Sequence, residues 1–292
     1  MLNNGFFTAL GTPVDEFGNV IEKSLVKQIV DQQEAGASGL LLMGSMGMEP
    51  YIRESEYSHI VAIAVDAARG KCPLFVGAMD NSVWRVRDKL NAIGNVKIDG
   101  IVVTTPYYYA SSQEEAKAYF KAVADASKYP VYLYDLPVVT KTRITRDTVL
   151  SLMDDRRIAG IKSGDLVLNK ELINSPERRD DFSVFFSTLD LFDAAYIYGI
   201  RRNLDGMFSC TPNNASKCYE EFAKGNFAAG AKYLENIISL RNLFVNYNVF
   251  PSFTAAMNLL GYEGSFSPDY MGRVPEKAID EIREKLQDIG EI

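Results

Sequence analysis

The chain has 292 residues, 47% apolar and 24% charged, with 31 basic against 38 acidic side chains and a net charge of −7. That composition is globular and excludes a disordered chain, a collagen and a coiled coil; the acidic balance, with arginines clustered only as pairs, excludes duplex nucleic acid as an expected partner. No apolar run approaches the ~18 residues of a membrane span, and the opening MLNNGFFTAL has neither the basic start nor the apolar stretch of a signal peptide, so a cytoplasmic protein is expected.

Short apolar, β-branched runs recur at 6–14, 38–44, 73–79, 100–106, 131–137, 158–164, 182–188 and 205–210. They do not alternate polar with apolar residues, so both faces are expected to be buried, as in parallel strands. Segments of helical period lie between them. Residues 21–36 place Leu25, Ile29 and Val30 on one face, and 54–70 and 143–155 follow the same pattern. Segment 111–128 opens on Ser112 with Glu115 three residues on, a capping box. Beyond residue 225 the strand signal stops, and 227–247, 252–262 and 274–290 read as helices separated at Pro251 and Gly261–Gly264. Eight strand–helix units predict a (β/α)8 TIM barrel over residues 1–225, with a C-terminal helical extension over 226–292. A doubly wound open sheet is the rival, but TALGTPV after the first strand lacks the Gly-x-Gly-x-x-Gly such a fold favours.

Two residue types narrow the chemistry. Cys72, Cys210 and Cys218 form no Cys-x-x-Cys pair, and an odd count suits a reducing compartment. The single histidine, His59, excludes a His-rich metal site; in EYSHIVAIAVDAA it reads as a surface or packing residue of a helix.

Catalytic groups of such a barrel come from the C-terminal ends of its strands. Lys162 interrupts the apolar run IAGIK there, and lysine is seldom buried without a partner or a function. Inside a barrel, desolvation would favour its neutral amine, which can condense with a ketone; the iminium then stabilises a carbanion on the adjacent carbon. The competing reading is a lysine whose head reaches solvent. Tyr134, with Tyr132 on the same strand face, is either a proton donor and acceptor beside Lys162 or a core aromatic. The Thr105–Tyr109 cluster, which contains Tyr108, reads as proton-relay tyrosines or as an interface belt. Gly44-Ser45-Met46-Gly47 is a turn whose N–H groups can bind a carboxylate.

In combination, TALGTP, GSMGME, TTPYYY, YLYDLP and GIKSG resemble the dihydrodipicolinate synthase / N-acetylneuraminate lyase family along essentially the whole chain. The resemblance implies a class I aldolase that forms a Schiff base with pyruvate or a related 2-oxo acid, joins it to or cleaves it from an aldehyde, and needs neither metal nor organic cofactor. It places Lys162 as the Schiff-base lysine, Tyr134 as the acid/base, Ser45, Met46 and Gly47 as the carboxylate turn, and Tyr108 as a tyrosine reaching a neighbouring subunit. A homotetramer or dimer is implied. Asp190 falls where lyases of the family hold sugar hydroxyls, with a helix N-cap as its plainer reading; Ser209, at the end of strand eight, is a further substrate contact.

Two departures bear on the substrate. Met46 stands where the family has threonine, and Val139 where its synthases have arginine, with Lys141 and Arg143 nearby but out of register. Glu49 lies one place beyond the family's glutamate, where this chain has Met48. The preferred expectation is therefore a lyase of a 2-keto-3-deoxy sugar acid or of N-acetylneuraminate type. Dihydrodipicolinate synthase, a dehydratase built on the same iminium, and a 2-oxo-acid-binding paralogue without turnover are the alternatives.

Overall fold

Apolar runs buried on both faces need a sheet that is covered on each side. In the computed structural model, which describes residues 2–292 (Met1 lies outside them), that sheet is a closed barrel of eight parallel strands in sequence order. The strands are β1 (Gly5–Ala9), β2 (Gly39–Leu42), β3 (Leu74–Gly77), β4 (Gly100–Thr104), β5 (Val131–Asp135), β6 (Ile158–Ser163), β7 (Ser183–Phe186) and β8 (Arg202–Asp205), and β8 pairs with β1. The surrounding helices are α1 (Glu22–Glu34), α2 (Glu54–Ala68), α3 (Val83–Ile93), α4 (Gln113–Ala126), α5 (Pro137–Thr140), α6 (Arg146–Met153), α7 (Leu166–Asn174), α8 (Phe192–Ile197) and α9 (Pro212–Ala223). Three more, α10 (Phe227–Tyr247), α11 (Val249–Leu259) and α12 (Glu276–Asp288), form the C-terminal extension. The fold is the TIM barrel with C-terminal helices that the strand–helix alternation predicts.

Strand periodicity divides the apolar side chains between two cores. Ile101, Val103, Leu133, Ile161 and Val184 face outward and pack under the helices. Phe7, Leu41, Phe75, Val102, Tyr132, Phe185 and Leu204 face inward and fill the barrel. Phe7, Phe75, Tyr132 and Phe185 meet edge to face across the axis, with the Phe7–Phe185 and Phe75–Tyr132 centroids 4.9 and 5.0 Å apart. Two glycines make room for Tyr132: a Cβ on Gly100 or Gly160 would come within 2.5 or 2.7 Å of its ring. This aromatic layer closes the barrel from below, so a ligand can enter only at the C-terminal ends of the strands.

Several local details differ from the sequence expectations. The eighth strand is Arg202–Asp205, ahead of the expected 205–210. The apolar Met207 and Phe208 that suggested a strand form a 3-10 turn in the outer core, where Phe208 packs edge-on against Phe6. The strand itself is polar, and Leu204 is its inward apolar residue. Pro251 does not separate helices but sits in the first turn of α11, where a missing N–H costs nothing. The break falls at Asn248, whose φ of 135° no helix accommodates. The charged α3 was not expected from the sequence; it buries Val86, Leu90 and Ile93 at helical spacing and opens on a Ser82 N-cap, which accepts the Arg85 N–H. The capping box at Ser112 and Glu115 is present. Among the described residues no helix is long and apolar enough to cross a membrane, and no group of three or more His, Cys, Asp or Glu could hold a metal ion. His59 lies exposed on α2.

Candidate active site

Parallel pairing places Thr104, Tyr134, Lys162 and Phe185 side by side across β4 to β7. Period two carries the inward face of β4 from Val102 to Thr104, that of β5 from Tyr132 to Tyr134, and that of β6 from Gly160 to Lys162. Lys162 is thus turned into the barrel above the aromatic layer, 7% exposed, with Tyr134 4% exposed beside it. Lys162 Nζ lies 4.1 Å from the centroid of the Tyr134 ring. Among the described residues no carboxylate lies within 4 Å of that nitrogen to hold it in an ion pair. Asp205, at the end of β8, is a carboxylate whose charge interacts with Lys162, and burial pushes its carboxyl above the usual range.

The outward residues that follow Tyr134 and Lys162 fix their spacing. Ser163 Oγ donates to Asp135 Oδ2 at 2.9 Å, and Asp135 Oδ1 accepts the Ile144 N–H at 2.9 Å. Burial raises the Asp135 carboxyl, since these two hydrogen bonds only partly offset desolvation.

The Gly44–Gly47 turn follows β2 on the same rim. Met48 N–H donates to Ser45 O at 3.1 Å, Glu49 N–H to Gly44 O at 3.3 Å, and Thr12 Oγ1 to Gly47 O at 2.7 Å. The N–H groups of Ser45, Met46 and Gly47 themselves donate to no backbone carbonyl among the described residues. A Cβ at Gly47 would stand 2.8 Å from Leu10 O, so a side chain there would force the turn open. Met46 reaches across to the residue after β8, where a Cβ on Gly206 would come within 2.7 Å of it. The turn therefore presents backbone donors, the Ser45 hydroxyl and an apolar Met46 surface.

The remaining sequence candidates are more scattered. Tyr108 is 68% exposed on the loop after β4, its N–H donating to Asn81 Oδ1 at 2.8 Å and its ring packed edge-on against Tyr109. Asp190 caps no helix. It lies in the 3-10 turn Leu189–Leu191, where its carboxylate accepts two hydrogen bonds from Arg241 of α10, at 2.6 and 2.9 Å. That guanidinium holds the Asp190 carboxyl below its ordinary value. Ser209 is fully buried and donates its hydroxyl to Ala9 O at 3.1 Å. Neither cation near Val139 is free: Lys141 donates to Tyr108 O, and Arg143 is ion-paired with Asp165. Val139 itself stands half-exposed on α5.

Two features at the rim were not singled out from the sequence. Thr104 has a buried hydroxyl with no hydrogen-bond partner among the described residues, beside Tyr134, and Arg241 arrives from a helix about 50 residues after Asp190. Strand-end position marks the first; nothing local marks the second, because its partner is distant in the chain.

Residues 2–289 match the dihydrodipicolinate synthetase family. The chain belongs to that family. It is accordingly an enzyme, a carbon–carbon lyase of the class I aldolase type. A 4-hydroxy-tetrahydrodipicolinate synthase from Parvibaculum lavamentivorans is 30% identical over 262 residues, 88% of each chain. A dihydrodipicolinate synthase structure from Thermotoga maritima superimposes with a TM-score of 0.91 at 22% identity, covering all of both chains. A prophage protein of the same family from Escherichia coli K12, solved in complex with pyruvate, gives 0.90 at 21% identity, again over all of both chains. At those identities the structural likenesses establish the fold.

Burial also sets a titration near the turn. Glu49 is pushed up to about 7 because desolvation outweighs the attraction of Lys89. Its ordinary value is 4.5, so the folded state binds this proton more tightly than the unfolded one. The stability contributed is present below pH 4.5 and is lost as pH rises through about 7, on the order of 3 kcal/mol in all. Glu49→Gln removes the titration. Its melting temperature relative to wild type is expected to be several degrees higher at pH 8 than at pH 5, measured by calorimetry; a pH-independent difference would count against the assignment.

Proposed function

We propose that the chain condenses Lys162 with pyruvate or a related 2-oxo acid, and that the resulting enamine is joined to an aldehyde or released from one. A 2-keto-3-deoxy sugar acid is the preferred substrate class. The observation that carries this reading is an inward, buried lysine with no carboxylate partner, directly beside an inward tyrosine. The amine attacks the keto carbon, and the carbinolamine loses water as its hydroxyl takes a proton that Tyr134 supplies. The Tyr134 phenolate so formed takes a methyl proton from the iminium to give the enamine and returns it to the aldehyde oxygen as the enamine attacks the aldehyde carbon; water then hydrolyses the new imine and returns the lysine. The free N–H groups of Ser45, Met46 and Gly47 hold the substrate carboxylate through the oriented amides of a tight turn. The pyruvate complex of the Escherichia coli prophage relative supports the choice of 2-oxo acid.

Asp190 serves the second substrate in this reading through the oxygen lone pairs that Arg241 leaves free; Ser209, fully buried with its hydroxyl on Ala9 O, supports the rim from beneath and makes no substrate contact. The exposed Tyr108 and Tyr109, with Tyr51 and Trp84 also exposed, support a homo-oligomer, a tetramer or a dimer, in which Tyr108 reaches a neighbouring site. Three free cysteines support a cytoplasmic location. The test is reductive trapping: incubation with pyruvate and borohydride is expected to add one reduced pyruvyl group at Lys162. Absence of the adduct would remove the Schiff-base reading altogether.

The second reading is 4-hydroxy-tetrahydrodipicolinate synthase, which the names of the 30% identical relatives favour. Against it stand Met46, which offers no hydroxyl, and Val139, with its neighbouring cations already engaged. Met46→Thr is expected to create or raise synthase activity, read by coupled dehydrogenase assay, by about tenfold or more if the hydroxyl is the missing part. An unchanged rate would return the distinction to the second-substrate end of the site.

A further inference from the structure

Next to the carboxylate turn lies a buried ion pair that the proposed reaction does not use. Glu49, two residues beyond Gly47, is 2% exposed, and its carboxylate is ion-paired with Lys89 of α3. The same ammonium lies 3.0 Å from Asp80 Oδ2 and donates to Met79 O at 2.6 Å. Asp80 in turn accepts from Arg85 Nε at 2.7 Å. Glu49 is also part of the turn itself, since its N–H closes onto Gly44 O at 3.3 Å. One side chain therefore ties the loop after β2 to α3 and to the end of β3.

Taking both charges out of water costs several kcal/mol that an apolar pair of the same shape would not incur. One oxygen of Glu49, Oε2, even lacks a hydrogen-bond partner among the described residues. Stability is thus a poor reason for the pair, and geometry is a better one. The loop's backbone hydrogen bonds and its Thr12 contact must also hold a strained residue: Met48 just before Glu49 adopts a left-handed φ of 57°, which costs a non-glycine residue about 1 kcal/mol or more. An ammonium drawn by three acceptors from two elements fixes the loop in that conformation and aims the Ser45–Gly47 N–H groups at one point.

We infer that the Glu49–Lys89 pair is a positioning device for the carboxylate turn, setting affinity for the 2-oxo acid rather than the rate of the chemistry. The inference rests on the reading of that turn as the carboxylate site. Lys89→Met leaves a buried carboxylate unpaired, so the variant Glu49→Gln/Lys89→Met, which removes both charges, is measured with it, and Lys89→Arg serves as the conservative control. In the folded double variant KM for pyruvate is expected to rise about tenfold, the worth of one charge-assisted hydrogen bond, with kcat within about twofold; Lys89→Arg is expected to restore most of the affinity. Borohydride trapping with acetone, a ketone with no carboxylate for the turn to hold, is expected to proceed at the wild-type rate. An unchanged pyruvate KM in the double variant overturns the inference, as does an equal loss of pyruvate and acetone trapping, which would mean that the pair supports the whole site. Failure of the underlying reading shows separately, in the unmodified protein, as trapping of acetone as readily as pyruvate at equal concentration.

Discussion

Lys162→Ala is expected to abolish carbon–carbon bond making and breaking, lowering kcat/KM by roughly 10⁴-fold or more, the scale on which loss of a covalent nucleophile is felt. Among the described residues no other amine is placed to replace it. Lys141 donates to a carbonyl on the loop after β4, and Lys89 is committed to Glu49, Asp80 and Met79. The fold is expected to survive, because the aromatic layer below and the outer core are untouched and the deleted nitrogen has no ion-pair partner to orphan. A melting temperature within a few degrees of wild type, together with loss of the borohydride adduct, is the predicted pair of results. Lys162→Arg separates nucleophile from charge: a guanidinium keeps the cation over the Tyr134 ring and cannot form the imine. Turnover retained in either variant would contradict the assignment.

How far the sequence reaches depends on whether a feature is local. The eight strand–helix units, the capping box at Ser112 and the helix over 227–247 are local patterns, and the fold contains them. Lys162 and Tyr134 were legible because each breaks a pattern: a charged residue within an apolar strand, and a polar tip on the inward face two residues past Tyr132. Strand β8 was misplaced because its residues are polar and the apolar pair after it packs in the outer core. The engagement of Asp190 by Arg241 could not be read, since the partners are brought together only when α10 packs back on the barrel. The same holds for Glu49, whose partner Lys89 lies 40 residues away on another helix. Residues that act through their place on a strand are visible in one dimension; those that act through a distant partner are not.

Tyr134→Phe is the more discriminating substitution, because it removes one oxygen and leaves the ring. The ring is nearly fully buried, with Lys162 Nζ 4.1 Å from its centroid, so packing and the cation–π contact are retained. A loss confined to proton transfer is expected to lower kcat by 10²- to 10⁴-fold, the usual worth of a positioned acid/base. In the proposed reading KM for pyruvate should change little, since there the turn after β2 holds the carboxylate on the far side of the mouth. The adduct with Lys162 should still form under borohydride, but more slowly, as carbinolamine dehydration would then depend on water. Rapid-quench trapping against time reads that rate directly. An undiminished kcat would make Tyr134 a core aromatic, and the proton would have to travel by another hydroxyl. Thr104, unpartnered and adjacent on β4, would then be the group to replace with valine.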